Sequence, residues 1–434
     1  MANSLLSRVA VALLAAVRAL IRSLQRHARL PLVREVLQHW VEHRRTLRQG
    51  VLALGLSGGV GLAAGLVLGS MESLLAELPG LLVLVPAAIG MRGAIFGALG
   101  ARLGTGMLLG QFEITRKRRS FVGENVEAAI VLTVASSAVA ALLARATAGI
   151  FGLPSISLLS LVTISMLGGL LSSFFVLIGV LYLARTAFNR SWDMDAVGSP
   201  LITATGDIVT LPALALAAFA LRVPYVEQVL GVLFLLLAAA ALVHGLTRAL
   251  PTAKRVIAQS LGVLLYASVV DILAGTVLET RAESLIQSPA LLVLIPPFIA
   301  NCGSVGGILS ARLGSDLHLG LISPRAIPER LAGLELSFTL IFSGIAFTTV
   351  GLMGHLGAVV TGLSSPGLGA MVGISVLGGA MASVLLMIVS YSTASATYRL
   401  GRDPDNYGIP IVTATMDLLG VLCLVAAISI MGAG

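Results

Sequence analysis

Leu81–Gly110 reads LLVLVPAAIGMRGAIFGALGARLGTGMLLG, and Leu291–Gly320 reads LLVLIPPFIANCGSVGGILSARLGSDLHLG. Set 210 residues apart and aligned without a gap, the two share 15 of 30 positions. The same offset lays Asp193–Asp207, DMDAVGSPLITATGD, over Asp403–Asp417, DPDNYGIPIVTATMD, with 8 of 15 identical. Two separate stretches repeating at one offset mark a duplicated structural unit. Each copy also sets an aspartate, Asp207 or Asp417, deep in an apolar segment. The duplication therefore predicts one polar site assembled from two halves.

The composition around these stretches is that of a membrane protein. Hydrophobic residues make up 57%, charged residues 11%, and the mean hydropathy is +1.00, whereas soluble domains are about 25% charged. Apolar runs of about 20 residues recur, each long enough to cross a hydrocarbon core of about 30 Å. The expected fold is all-α and polytopic, with about eleven transmembrane helices at roughly 50–69, 81–101, 122–144, 157–184, 198–220, 226–247, 256–278, 291–313, 332–353, 367–394 and 408–431. Residues 50–220 and 256–434 form two five-helix repeats, 221–255 a linker holding an extra span, and 1–49 a segment of different character. In the first span Gly61, Gly65 and Gly69 fall every fourth residue, a flat face on which another membrane helix can pack closely.

A net charge of +8 suggests nucleic acid until the basic residues are located. If the amino terminus is cytoplasmic, the inside loops and the first 49 residues hold 22 of the 28 lysines and arginines. Outside loops hold only Arg145, Arg222 and Arg281. Such a bias orients a membrane protein, here with the amino terminus inside and the carboxyl terminus outside a plasma (inner) membrane. The bilayer is then the macromolecular partner, and no nucleic acid is expected. Five spans would invert the second repeat, but the extra span at about 226–247 returns the chain to the cytoplasm. The repeats are thus parallel, related by a pseudo-twofold axis along the membrane normal, and a single chain suffices as a pseudo-dimer.

Leu5–Leu24 is apolar with interspersed Arg8, Arg18 and Arg22, Pro31 interrupts it, and Val33–Trp40 resumes a helical pattern. This reads as a basic amphipathic pair in the cytoplasmic interface, or alternatively as a cleaved targeting peptide. Cys302 and Cys423 both fall in spans, which argues against a disulfide framework.

The chemistry lies in the fifth span of each repeat. Asp207 and Asp417 sit about ten residues into their helices, roughly 15 Å deep and near the bilayer centre. A charge there costs a few kcal/mol even on insertion scales and marks a wet cavity or an ion path. Thr203 and Thr413 lie four residues earlier on the same face, and Pro200 and Pro410 seven residues earlier. Each proline lacks an N–H and is expected to free the carbonyl four residues upstream, at Ala196 or Asn406. Asp193, Asp195, Asp403 and Asp405 stand at the mouth of these helices, where capping explains them as well as ion contact does. Carboxylate, hydroxyl and carbonyl oxygens without histidine or thiolate suit Mg2+ or Ca2+ better than Zn2+ or copper.

The pattern D-x-D-x-x-x-x-P-x-x-T-x-T-x-D, with a second span P-x-x-x-G-x-x-G closing on Ala-Arg-Leu-Gly, resembles the MgtE family of magnesium channels and transporters. Two fused copies are similar to its solute carrier family 41 branch. The resemblance implies a path along the twofold axis lined by second and fifth spans, with Asp207 and Asp417 as central Mg2+ ligands and Mg2+ as transported ion. It departs from the family at Gly93-Ala94 and Gly303-Ser304, where members often carry an asparagine. The large soluble regulatory domains of bacterial members have no counterpart within the 50 residues before the first span.

Other charges have bland readings beside the functional ones. Repeat one has Gly61 where repeat two has Asp271, which is expected to be a coupling-ion site for Na+ or H+ in an exchanger, or else a structural acid. Arg102 and Arg312 read as anchors, Arg92 as structural or paired with an acid, Glu124, Glu127 and Glu335 as caps or salt bridges, and His318 and His355 as loop residues. No nucleophile turn or histidine–carboxylate metal motif appears, so an enzyme is not expected and no catalytic cofactor is implied.

Overall fold

The computed structural model describes residues 31–42, 44–113, 117–190, 194–325, 327–401 and 408–432. Helices dominate them: α1 Pro31–Glu42, α2 Arg44–Ser70, α3 Glu72–Glu77, α4 Leu81–Leu108, α5 Phe121–Ile150, α6 Leu158–Arg190, α7 Met194–Phe219, α8 Val226–Thr247, α9 Pro251–Glu279, α10 Ala282–Gln287, α11 Pro289–His318, α12 Arg330–Val360, α13 Leu368–Arg399 and α14 Ile409–Ile430. The second set repeats the first at the 210-residue offset, so that α3 and α10 coincide end for end. Local signals repeat too. Gly110 and Gly320 both end the second span with positive φ, 68° and 70°, the left-handed conformation that closes a helix. The following amides, Gln111 and Leu321, donate back to Gly106 and Asp316 at 2.8 and 2.9 Å.

Among the described residues ten helices are long and apolar enough to cross a membrane. The first of the expected eleven spans falls within α2, where Leu54–Ser70 is a shorter apolar stretch among the described residues. The extra span between the repeats is present as α8, which packs on α5, α6 and α9. The start of the expected amino-terminal pair, Leu5–Leu24, lies outside the described residues, and its second member is α1, with Pro31 as its first residue. His318 and His355, expected in loops, close α11 and lie within α12, because both helices run past the apolar segment that marked their ends in sequence.

The two repeats exchange their first spans. Helix α2 packs on α11 and α12 of the second repeat, and α9 packs on α4 and α5 of the first. Glycine makes both contacts possible. A Cβ on Gly65 would stand 2.2 Å from the Val293 carbonyl oxygen, and one on Gly275 would stand 2.1 Å from that of Val83. These two contacts are the same contact under exchange of the repeats, as a twofold relation requires. Gly61 and Gly69 extend the face, with virtual Cβ atoms 2.6 Å from Pro297 Cα and 2.7 Å from a Val293 methyl.

Carboxylates fasten α9 to the first repeat at both ends. Glu124 on α5 accepts from the Thr252 amide at 2.8 Å, and Glu279 accepts from the Gly80 amide, before α4, at 2.7 Å. A carboxylate over free N–H groups at a helix start is favoured by charge and by hydrogen bonding. Helix α1 docks instead on α12: His39 contacts Glu335 at 3.1 Å, Trp40 Nε1 donates to Ser337 Oγ at 2.9 Å, and Arg330 pairs with Glu35.

Gly65→Ala and Gly275→Ala should each lower stability by roughly 1–3 kcal/mol, the cost of overpacking a close contact. Gly262→Ala in α9, with nothing within 4 Å of its virtual Cβ, serves as the neutral control. Thermal unfolding of purified protein in detergent checks this, and equal melting temperatures for all three would refute the close-approach account. Glu335→Ala strands Arg312 and His39 together and should cost about 3–5 kcal/mol, as removing one partner of a buried pair does; the same measurement reads it.

Candidate ion site between the two repeats

Within each repeat the second and fifth spans pack together, α4 on α7 and α11 on α14, and α14 also touches α4. The first spans then lie against the fifth, α2 on α7 and α9 on α14. This arrangement draws three aspartates towards one region. Asp207 on α7 is 7% exposed and Asp271 on α9 is 1% exposed. The carboxyls of Asp271 and Asp417, on α14, lie next to each other, and Asp207 is close enough for its charge to repel that of Asp417. Two carboxyl groups in contact need a proton or a cation between them, because like charges at that range cannot both ionise freely.

Glycine also makes room for Asp271. A Cβ on Gly90 of α4 would lie 2.5 Å from Asp271 Oδ2, while Oδ1 is buried without a hydrogen-bond partner. At the repeat-related interface Gly61 meets the backbone of Pro297, which leaves no space for a side chain. Repeat one has Ala87 in place of Pro297. The asymmetry of aspartate and glycine thus follows from the shape of the facing helix.

Thr413 lies on α14, its methyl 4.0 Å from a virtual Cβ on Gly303 of α11. Thr203 and Asp195 fall on α7. Asp193, Asp403 and Asp405 lie outside the described residues. Pro200 is seven residues into α7, while Asn406, whose carbonyl Pro410 is expected to free, lies outside the described residues. Among the described residues, no three His, Cys, Asp or Glu side chains group tightly enough to hold a metal ion.

Sequence reasoning missed Asn301. Its Nδ2 donates to the Pro297 carbonyl at 2.8 Å, and its buried Oδ1 has no hydrogen-bond partner. Asn301 faces Gly58 of α2. A lone asparagine in an otherwise apolar span was the available signal. Cys302 and Cys423 are both free and buried. Cys302 Sγ lies 3.0 Å from a virtual Cβ on Gly420, one turn beyond Asp417.

Charges at the ends of the second spans have structural partners. Arg102 Nε donates to Asn125 Oδ1 at 2.8 Å, and at the related position Arg312 Nε donates to Glu335 at 2.5 Å. Glu127 binds both Arg118 and His244 at 2.8 Å. Arg92 differs: Nε donates to Ser172 Oγ at 3.1 Å and Nη1 to the Ala88 carbonyl at 2.7 Å, but among the described residues no acid pairs with it.

A family model described as MgtE, divalent cation transporter, matches residues 85–217 and 295–427, one segment in each repeat. Solute carrier family 41 member 2 of Homo sapiens is 26% identical over 399 residues, covering 85% of this chain and 67% of the relative. Solute carrier family 41 member 3 of Rattus norvegicus is 24% identical over 405 residues, covering 87% and 86%. No solved structure matches the chain. With matched segments in both repeats and ten helices able to cross a membrane, the chain is a multi-pass member of the MgtE family of divalent cation transporters.

Proposed function

We propose that this chain moves Mg2+ across the membrane through an acidic site between its repeats, with Asp207 and Asp417 as the central pair. The observation that carries the reading is their convergence from repeat-related helices to within electrostatic range. Buried carboxylates that repel each other are relieved by a cation between them. The oxygen-only chemistry of carboxylate, threonine and amide favours a hard cation. Mg2+ dehydrates reluctantly and keeps several waters, so a site of spaced acids can hold the hydrated ion by outer-sphere hydrogen bonds. Thr203 and Thr413 contribute hydroxyls, while Asp193, Asp195, Asp403 and Asp405 gather cations at the mouth. The basic side faces the cytoplasm of a plasma membrane, and one chain supplies both halves.

A second reading is favoured by the contact of Asp271 with Asp417. A proton held between these carboxyls must leave before Asp417 can face Mg2+ with full charge. Transport would then exchange Mg2+ for H+, or for Na+ if Na+ takes that place.

Purified protein in liposomes should conduct Mg2+ in preference to Na+, and Asp207→Asn/Asp417→Asn should reduce that flux to the level of empty liposomes. Normal Mg2+ flux in the double variant, with an unchanged elution profile, would end the proposal. For the coupled reading, Asp271→Asn should retain Mg2+ flux down its gradient yet lose acceleration by an opposing H+ or Na+ gradient. Flux indifferent to both gradients in the unaltered protein would leave an uncoupled path.

A further inference from the structure

Arg92 is 3% exposed in the middle of α4, and its hydrogen bonds go only to neutral groups, Ser172 and the Ala88 carbonyl. Its Nη2 has no partner. A guanidinium buried at membrane depth without a counter-charge is costly, and such residues face an acid or an ion path. The helices packed on α4 offer few candidates. On α5, Glu124 and Glu127 lie near the start of the helix and bind the Thr252 amide, Arg118 and His244, while Arg145 is near its other end. On α6 the charges are Arg185 and Arg190, at its end. On α9, Asp271 is engaged with Asp417 of α14, and Glu279, at the end of the helix, accepts from the Gly80 amide. Asp207 of α7 remains.

The helices meet where a pairing would need them to. A Cβ on Gly206, the residue before Asp207, would lie 3.5 Å from Arg92 Cβ. Arg92 is eleven residues from the start of α4 and Asp207 twelve from the end of α7. These ends share a side of the membrane, since the chain crosses four times between them, along α4, α5, α6 and α7, and at 1.5 Å per residue both groups are roughly 16–18 Å deep. The second repeat supports the direction. Cys302, at the position related to Arg92, lies against Gly420, one turn from Asp417.

We propose that Arg92 is a tethered counter-cation of Asp207. Its guanidinium has two seats, one at Ser172 and the Ala88 carbonyl and the other on the Asp207 carboxylate, and a divalent cation at Asp207 excludes the second. Arg92 is thereby a specificity-determining residue that sets how strongly an ion must bind in the first-repeat half of the site. The inference rests on the reading of Asp207 as a cation-contacting carboxylate.

The test is a double-mutant cycle on the full chain in detergent with Arg92→Gln, Asp207→Asn and both together. Melting temperature is read without divalent ions and in saturating Mg2+, and Mg2+ affinity by calorimetry. Removing the competitor should tighten Mg2+ binding by about 5- to 150-fold, the usual span of coupling between sites, and Asp207→Asn should erase that gain. Without divalent ions the two substitutions should be non-additive in melting temperature, and Mg2+ should restore additivity. Arg92→Lys, which keeps the charge, should remain near the unaltered protein in affinity. Additive shifts without divalent ions, or equal affinities for the Lys and Gln variants, would overturn the proposal. Should the unaltered protein bind no Mg2+ while the melting temperatures stay non-additive, the Arg92–Asp207 pairing stands and the Mg2+ reading falls.

Discussion

The centre of this molecule depends on two backbone approaches, Gly65 against the Val293 carbonyl and Gly275 against that of Val83. Lipid gives helices little hydrophobic reason to associate, so close packing of small residues holds them together. Here that packing joins the first span of each repeat to the second span of the other. The exchange ties the repeats into one body and sets their fifth spans around a shared interior. It also places α9 so that Asp271 rests on Gly90 of the first repeat while meeting Asp417 of its own. A side chain at position 65 or 275 would separate these helices and, with them, the acids.

On this symmetric frame the charges are distributed unequally. Asp271 stands opposite Gly61, Arg92 opposite Cys302, Asn301 opposite Met91 and Glu335 opposite Asn125. Near Asp417 the second repeat adds an acid, and near Asp207 the first adds a base. A symmetric pair would meet an ion with two equal carboxylates. The added groups make the surroundings of the two aspartates unequal in charge although their helices are repeat-related.

Much of this was legible in the sequence because the duplication supplies an internal alignment. The offset located the spans, the aspartates at 207 and 417 and the odd residue at 271 without any structure. Polarity in an apolar run identified the candidates, but not their neighbours. The exchange of first spans was illegible, since a glycine face at 61, 65 and 69 says that a helix packs there and not which one. Hence the Asp271–Asp417 contact could not be foreseen, although both residues could.

The second spans are fastened differently at the ends that carry Arg102 and Arg312. Arg312 holds Glu335, which in turn holds His39 of α1, so charge-assisted bonds tie α11 to two helices. Among the described residues Arg102 holds the neutral amide of Asn125 and no acid. The acids of α5, Glu124 and Glu127, are spent on α9, α8 and the loop at Arg118 instead. Hydrogen bonds between ions are roughly twice as strong as those between neutral groups, so displacing the end of α4 costs less than displacing that of α11. Helix α4 also carries Gly90, against which Asp271 rests, and Arg92, whose Cβ faces Gly206 of α7. The less restrained second span is therefore the one that carries the packing partners of Asp271 and Gly206.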